Sequence, residues 1–245
     1  IEVVAREDRE AYIKKQLEGS TQIDTVPYWR GKDSVQCEVI RIPAKYLIYN
    51  IESGRTRSRQ RAAVSDPDKG LAPDTFDYAK REDDETQTQQ HALLVAEAKR
   101  KKGREGTRDL FEILGQDGVT TRDRPVITLE GELVNANCRT AVVIEAEANG
   151  ETLKGIVDGE LEVKVLPTMP SPGKDGRKTI RRLERILQNR EIGRLDYDWI
   201  QRTDEIRSMQ EDGMDLVTIA KEFSGVNEWD SRAKIESWMR RRELY

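Results

Sequence analysis

Residues 131–141 read Gly131-Glu132-Leu133-Val134-Asn135-Ala136-Asn137-Cys138-Arg139-Thr140-Ala141. A short apolar strand runs here into small polar residues, then an Arg, then a helix rich in Ala and Val. Backbone N–H groups at such a helix start point toward one spot, and the helix dipole favours an anion there. Arg139, one turn in, would add charge-assisted hydrogen bonds to a phosphate. The same composition suits an ordinary strand–helix turn in which Asn135 or Asn137 caps the helix. Cys138, behind a strand, equally suits a small core residue.

Working outward, Pro125–Leu129 and Glu132–Val134 are two apolar runs around Gly131, which predicts a β-hairpin. Residues 35–50 (VQCEVIRIPAKYLIYN) predict a strand through Val35, Cys37, Val39 and Ile40, then a helical turn carrying Leu47 and Ile48. Residues 1–19 predict a helix stopped by Gly19. The Gly-, Pro-, Ser- and charge-rich stretch 53–74 (SGRTRSRQRAAVSDPDKGLAPD) predicts a loop. Residues 84–116 predict two helical faces around the polar break KRKKGREGT at 99–107. C-terminal to the quoted stretch, 139–147 continue as helix and 161–166 alternate as a strand. Elements of both kinds thus predict a mixed α/β (α+β) core over 35–170, preceded by a helical extension over 1–34. A Pro/Gly loop at 167–177 follows. Beyond it only helical patterns occur, at 177–190, 197–211, 215–223 and 231–243, so an all-α C-terminal domain is expected over 171–245.

Composition narrows the function classes. The 245 residues carry a net charge of −4, and 36% of them are charged, against about 25% in an average globular domain. No stretch approaches the roughly 18 apolar residues of a membrane span, and nothing reads as a secretory signal, so a cytoplasmic location is expected. The chain opens on Ile1 rather than Met, which points to a start further upstream. Two cysteines about a hundred residues apart exclude a disulfide framework and a zinc knuckle, and a single histidine, His91, excludes a multi-histidine metal site. No Gly-rich loop ending in Lys occurs, which excludes a P-loop NTPase.

Three stretches carry a resemblance. The turn Asn135–Arg139 is similar to the central motif of the ParB/sulfiredoxin-like superfamily, where a strand leads into Gly-Glu-Arg-Arg or Gly-Asn-Arg-Arg and an Ala-rich helix. Residues 41–57 (RIPAKYLIYNIESGRTR) resemble the first ParB box, with Asn50 and Arg55 at its closing Asn and Arg. Residues 183–191 (LERILQNRE) resemble the later box built on Glu-Asn-Leu-Gln-Arg. This chain departs from the pattern at two places: Ala136 stands where the family has Gly, and Cys138 where it has its first Arg. Alanine lacks glycine's access to positive φ, and one phosphate partner is lost. The reactive Cys of sulfiredoxins sits at a different spacing from its Arg, so redox chemistry is not carried over.

The resemblance implies a site for CTP or ATP with Mg2+. The phosphates would lie on Asn135, Asn137, Cys138, Arg139 and Thr140, with Asn50 and Arg55 approaching from the first box. From the later box, Glu184 or Gln188 would hold the magnesium or its waters, with Glu184 the expected metal ligand. It also implies a helix-turn-helix-like tail: Gly213 would stop one helix and Asp215 cap the next.

Clustered cations point to DNA. Arg55, Arg57, Arg59 and Arg61 recur at period two, and if extended would share one face suited to a phosphate backbone. As a solvated loop they would instead pair with the acids at 81–85. The stretch 174–194, net +5, contributes Lys178, Arg181 and Arg182, and 231–245, net +3, contributes Arg232, Arg240 and Arg241. The expected function is a nucleotide-responsive DNA-binding protein of ParB-like type, as a homodimer or with a partner subunit, with any enzymatic activity a slow NTPase. Two alternatives stay open: a phosphotransferase or nuclease, for which Glu145, Glu147 and Asp158 are the available carboxylates, and a degenerate interaction subunit of a phage or genome-defence assembly.

Overall fold

A computed structural model of the chain describes residues 1–27, 34–100, 108–119, 124–156, 159–167, 174–190, 199–222 and 232–243. Its strands are β1 (Ile23–Pro27), β2 (Ser34–Pro43), β3 (Val126–Ile127) and β4 (Glu160–Val165), in the order β1-β2-β4-β3. The pairs β1/β2 and β2/β4 are antiparallel, and β3/β4 is parallel. Around this sheet stand α1 (Arg6–Glu18), α2 (Arg57–Ser65), α3 (Asp84–Ala98), α4 (Leu110–Asp117), α5 (Asn137–Ala148) and α6 (Lys174–Arg190). Beyond them come α7 (Trp199–Glu211), α8 (Leu216–Glu222) and α9 (Arg232–Glu243), so the described residues are mixed α+β.

The sheet's side-chain alternation decides what covers it. Residue parity and register put Ile40 and Ile42 on one face with Leu161, Val163 and Val165. That face is sealed by Ile13 of α1, Leu94, Val95 and Ala98 of α3, Leu114 of α4 and the Ala-Val side of α5. Opposite parity puts Val35, Cys37, Val26 and Val126 on the other face, under Ile180, Leu183 and Leu187 of α6. The rest of that second face is half-buried and ionic around the buried Val39: Arg124 bridges Glu162 and Asp24, and Lys164 reaches Asp24.

Several expectations hold. The N-terminal helix stops at Gly19, 84–116 splits into α3 and α4, 139–147 falls within α5, and 161–165 falls within β4, which ends one residue before the expected strand does. Among the described residues no strand follows β4. Residues 23–27, within the expected N-terminal extension, form the edge strand β1 of the same sheet. Most of the expected break at 99–107 and of the loop at 167–177 lies outside the described residues.

Other expectations are corrected. The stretch 53–74 is not a loop: α2 occupies its middle, because Arg, Gln and Ala after Gly54 are good helix formers and their charge is no obstacle to a half-exposed helix. The arginines at period two therefore do not share an extended face, since a two-residue step on a helix turns through about 200°. The predicted hairpin shrinks to one antiparallel bridge, Ile127↔Leu133, because Ile127 takes its main partner from β4 in parallel. The predicted turn at Leu47 and Ile48 comes earlier, as a 3-10 turn at Ala44–Tyr46, and Ile48 instead bridges Glu132. Gly131 makes that bridge possible. Its φ is +80°, and a Cβ there would lie 2.5 Å from the carbonyl oxygen of Tyr46.

Helices α7–α9 close on Ile206, Met209, Ile219, Ala220 and Ile235. They are tied to the sheet-bearing part through α2, where Arg61 pairs with the buried Asp204 at 3.1 Å. A second tie runs through α6, where Arg181 and Lys178 hold Asp212 in the α7–α8 turn.

Candidate functional site

The turn that opens α5 has an unusual backbone for a residue with a side chain. Ala136 is its N-cap, with φ 61° and ψ 18°, the only non-glycine residue at positive φ among the described residues. A non-glycine residue in this conformation costs roughly 1–2 kcal/mol. The alanine thus adopts the backbone that the motif's glycine would adopt freely. No side chain caps the helix, so the first N–H groups of α5 have no intrahelical acceptor.

The two asparagines expected as caps are used elsewhere, which corrects that expectation. Asn135 Oδ1 accepts from the Val126 N–H at 2.7 Å, pinning the turn to β3. Asn137 Oδ1 accepts from the Asn50 N–H at 2.9 Å, pinning it to the first-box loop. Each amide oxygen is drawn off because a buried N–H is present that no sheet partner serves.

The three motif stretches meet here. Asn50 Nδ2 donates to Glu184 Oε2 at 3.4 Å, and Ser53 Oγ donates to Glu184 Oε1 at 2.7 Å, so α6 brings the later box onto the first-box loop. Asn50, Ser53, Arg55, Asn137, Thr140 and Glu184 are all buried, and Arg139 is half-buried. Arg55, Glu97, Arg139 and Glu184 all act electrostatically on the Cys138 thiol. Burial pushes that thiol up to about 11, against the pull of the two cations. It stays protonated at neutral pH, so Cys138 packs and does not act as a nucleophile. The side chain of Gln188 lies outside what the structure describes.

The site gathers two arginines, Arg55 and Arg139, with two carboxylates, Glu97 and Glu184, around Cys138, and two hydrogen-bond donors already hold Glu184. Among the described residues no group of three His, Cys, Asp or Glu is arranged to hold a metal. Magnesium takes one or two carboxylates and completes its shell with phosphate oxygens and water, and Glu184 suits that role. Of the nuclease carboxylates, Glu145 is held by His91 at 3.2 Å, Glu147 lies against the Cα of Gly159, and Asp158 lies outside the described residues. His91 also meets the Tyr49 hydroxyl at 2.8 Å, and burial lowers its pKa despite Glu145. Burial likewise raises the pKa of the Tyr49 hydroxyl.

Four of the nine cations expected on DNA, Arg59, Arg61, Lys178 and Arg181, are engaged with other parts of the chain. Arg59 pairs with the buried Glu97 at 2.9 Å and Arg61 with Asp204. Lys178 donates to the Asp212 carbonyl, and Arg181 pairs with Asp212 at 2.7 Å and with Glu52 at 3.6 Å. Arg57 and Arg182 are half-buried, while Arg240 is exposed and donates to the Glu236 carbonyl of its own helix. The side chains of Arg232 and Arg241 lie outside the described residues.

Sequence reasoning missed Ser53 and three glutamines. Ser53 had a signal, since it sits two residues before Arg55. Buried Gln87 and Gln90 had one too, the run Thr86-Gln87-Thr88-Gln89-Gln90, which read only as helix, whereas buried Gln60 lay in the stretch read as a loop. Comparison with known proteins finds no matching family model, no similar curated protein and no similar solved structure.

Proposed function

We propose that this chain is a nucleotide-responsive DNA-binding protein of ParB-like type. Its core takes CTP or ATP with Mg2+, and its basic helices take DNA. The observation that carries the reading is the uncapped, left-handed turn at Ala136 with the first-box Asn50 and the later-box Glu184 gathered onto it. An anion there meets helix N–H groups, Arg139 and Arg55 together, in surroundings where such contacts are worth more than in water. Glu184 would carry the magnesium or its waters, after exchanging its bonds to Ser53 and Asn50. A resident magnesium would draw charge from the phosphates, and the chain's own groups bind and orient them.

A second reading has its own observation. Arg59, Arg61, Lys178 and Arg181 hold parts of the chain together. That arrangement favours a fold kept for protein contacts over a surface for DNA.

The deciding experiment titrates CTP and ATP with magnesium against the full chain and Arg139→Ala, with and without duplex DNA. One nucleotide is expected to bind below about 1 mM, and Arg139→Ala to weaken it about tenfold, or 1.4 kcal/mol. DNA affinity is expected to fall linearly on a log scale with salt. Binding of neither ligand would sink this reading and favour the interaction subunit. Turnover indifferent to DNA would favour a phosphotransferase.

A further inference from the structure

Helix α3 buries an unusual stripe. Gln87, Gln90, Leu94 and Ala98 follow one another at helical spacing, and all four are buried. The stripe is aliphatic where it faces the sheet and amide where it faces the loop 48–56. A buried amide is costly unless its donors and acceptor are met, and here they are met by that loop together with Gln60 and the Arg81 carbonyl, to which Gln87 Nε2 donates at 2.6 Å. Gln87 Oε1 accepts from the Tyr49 N–H at 2.8 Å, and its Nε2 donates to the Tyr49 carbonyl at 3.2 Å, as a neighbouring strand would. Gln90 Nε2 donates to the Asn50 carbonyl at 3.4 Å and to Thr56 Oγ1 at 3.0 Å. Gln60, from α2, donates to the Ile51 carbonyl at 2.7 Å and to Gln90 Oε1 at 2.8 Å.

Three consecutive carbonyls, at 49, 50 and 51, are thus each held by a glutamine. We infer that Gln90, with Gln60 and Gln87, is a positioning clamp that fixes loop 48–56 and thereby aims Asn50, Ser53 and Arg55 into the candidate nucleotide site. The inference rests on the nucleotide reading for its purpose and on the hydrogen bonds for its existence. With the carbonyls turned to the glutamines, the Asn50 N–H is directed to Asn137 and its side chain to Glu184. The loop then presents its polar side chains to an incoming anion without having to be ordered by it, which spares binding the cost of fixing the loop. A core needing only volume at position 90 would be served by Leu or Met, which makes the amide itself informative.

The test uses the full chain and Gln90→Met, which keeps the volume and removes every hydrogen bond. Hydrogen exchange of the amides at 50–56 is expected to quicken about tenfold while α5 and β4 exchange as before. Affinity for magnesium-CTP or magnesium-ATP is expected to drop about tenfold alongside. Gln60→Met, which leaves both bonds from Gln90 to the loop, is expected to quicken exchange only about two- to threefold, near Ile51. Unchanged exchange at 50–56, or an equal rise across the chain, would overturn the clamp. If Gln90→Met fails to fold, Gln60→Met decides on the same measure. A wild-type chain that binds neither nucleotide sinks the proposed function, while the exchange data decide the clamp on their own.

Discussion

Among the described residues, two of the buried polar clusters are built from opposite materials. One is neutral in all but Glu184: Gln60, Gln87, Gln90, Asn50 and Asn137 tie the backbone of 48–56 to α3 and α5. The other is ionic: Arg6, Arg9 and Arg81 interleave with Glu82, Glu130 and Glu132, holding α1 against the turn before the α5 motif. Amides direct backbone geometry and are indifferent to pH and salt. Paired charges in a desolvated place are strong only while every partner is present. The neutral cluster therefore suits setting a site, and the ionic one suits fastening a helix, at the cost of pH sensitivity.

The comparison breaks most visibly at Arg81, which pairs with Glu82, Glu130 and Glu132 and lies over the Tyr78 ring at 4.3 Å. Arg81→Met leaves buried carboxylates uncompensated and is expected to destabilise by about 3–5 kcal/mol in denaturant titration at pH 8. The loss should shrink at pH 5, where Glu132 carries a proton. An equal loss at both pH values would mean that packing, not charge, holds the cluster.

Glu132 sharpens the same point. Burial raises its carboxyl to about 7, against the pull of Arg81 and Tyr78, and its Oε1 has no hydrogen-bond partner. Unfolded, the group would lose its proton near 4.5. Between those values the folded chain holds more protons, so stability falls as pH rises through the window and levels off above it. Glu132→Gln is expected to match the wild type near pH 4.5 and to exceed it by about 3 kcal/mol at pH 8, from the size of the shift. Parallel stability profiles for the two chains would contradict a neutral Glu132. Glu82 works in the opposite sense. Burial opposes its ionisation, but Arg6, Arg9 and Arg81 hold it below the usual value, so its contribution is lost as pH falls through that lower range.

Much of this was legible in the sequence, for reasons that differ by residue. The helices and β4 could be read because period and breakers agree there, as in β4, where every second side chain is buried. The meeting of Asn50, Asn137 and Glu184 was legible only through the resemblance, since no local pattern brings positions 50, 137 and 184 together. Helix α2 was hidden because charge and Ser mark loops and exposed helices alike, and only the tertiary partners Glu97 and Asp204 distinguish them. β1 was hidden because an edge strand of five residues with Asp, Thr and Pro has little β signal, and its register comes from β2. The glutamine clamp was hidden for a deeper reason. An amide reads as a surface residue until the carbonyl it serves is known.

The amide cluster also has a weak point of its own, which gives the smallest expected effect. Ala136 holds φ 61° although it carries a Cβ, and its neighbours Asn135 and Asn137 anchor it from both sides. Those two hydrogen bonds keep the residue left-handed against its preference. Ala136→Gly removes the steric cost but widens the unfolded ensemble, two effects of opposite sign. The first is the larger at positive φ, so a net gain of about 1 kcal/mol is expected. Nucleotide affinity should stay level or rise slightly, because the turn is already in the required conformation. Loss of stability in Ala136→Gly would mean that the Cβ packs more than it strains. Asn137→Ala, by contrast, frees the Asn50 N–H and should loosen the turn, so the order of the two variants in thermal unfolding tests whether the anchor or the alanine sets this backbone.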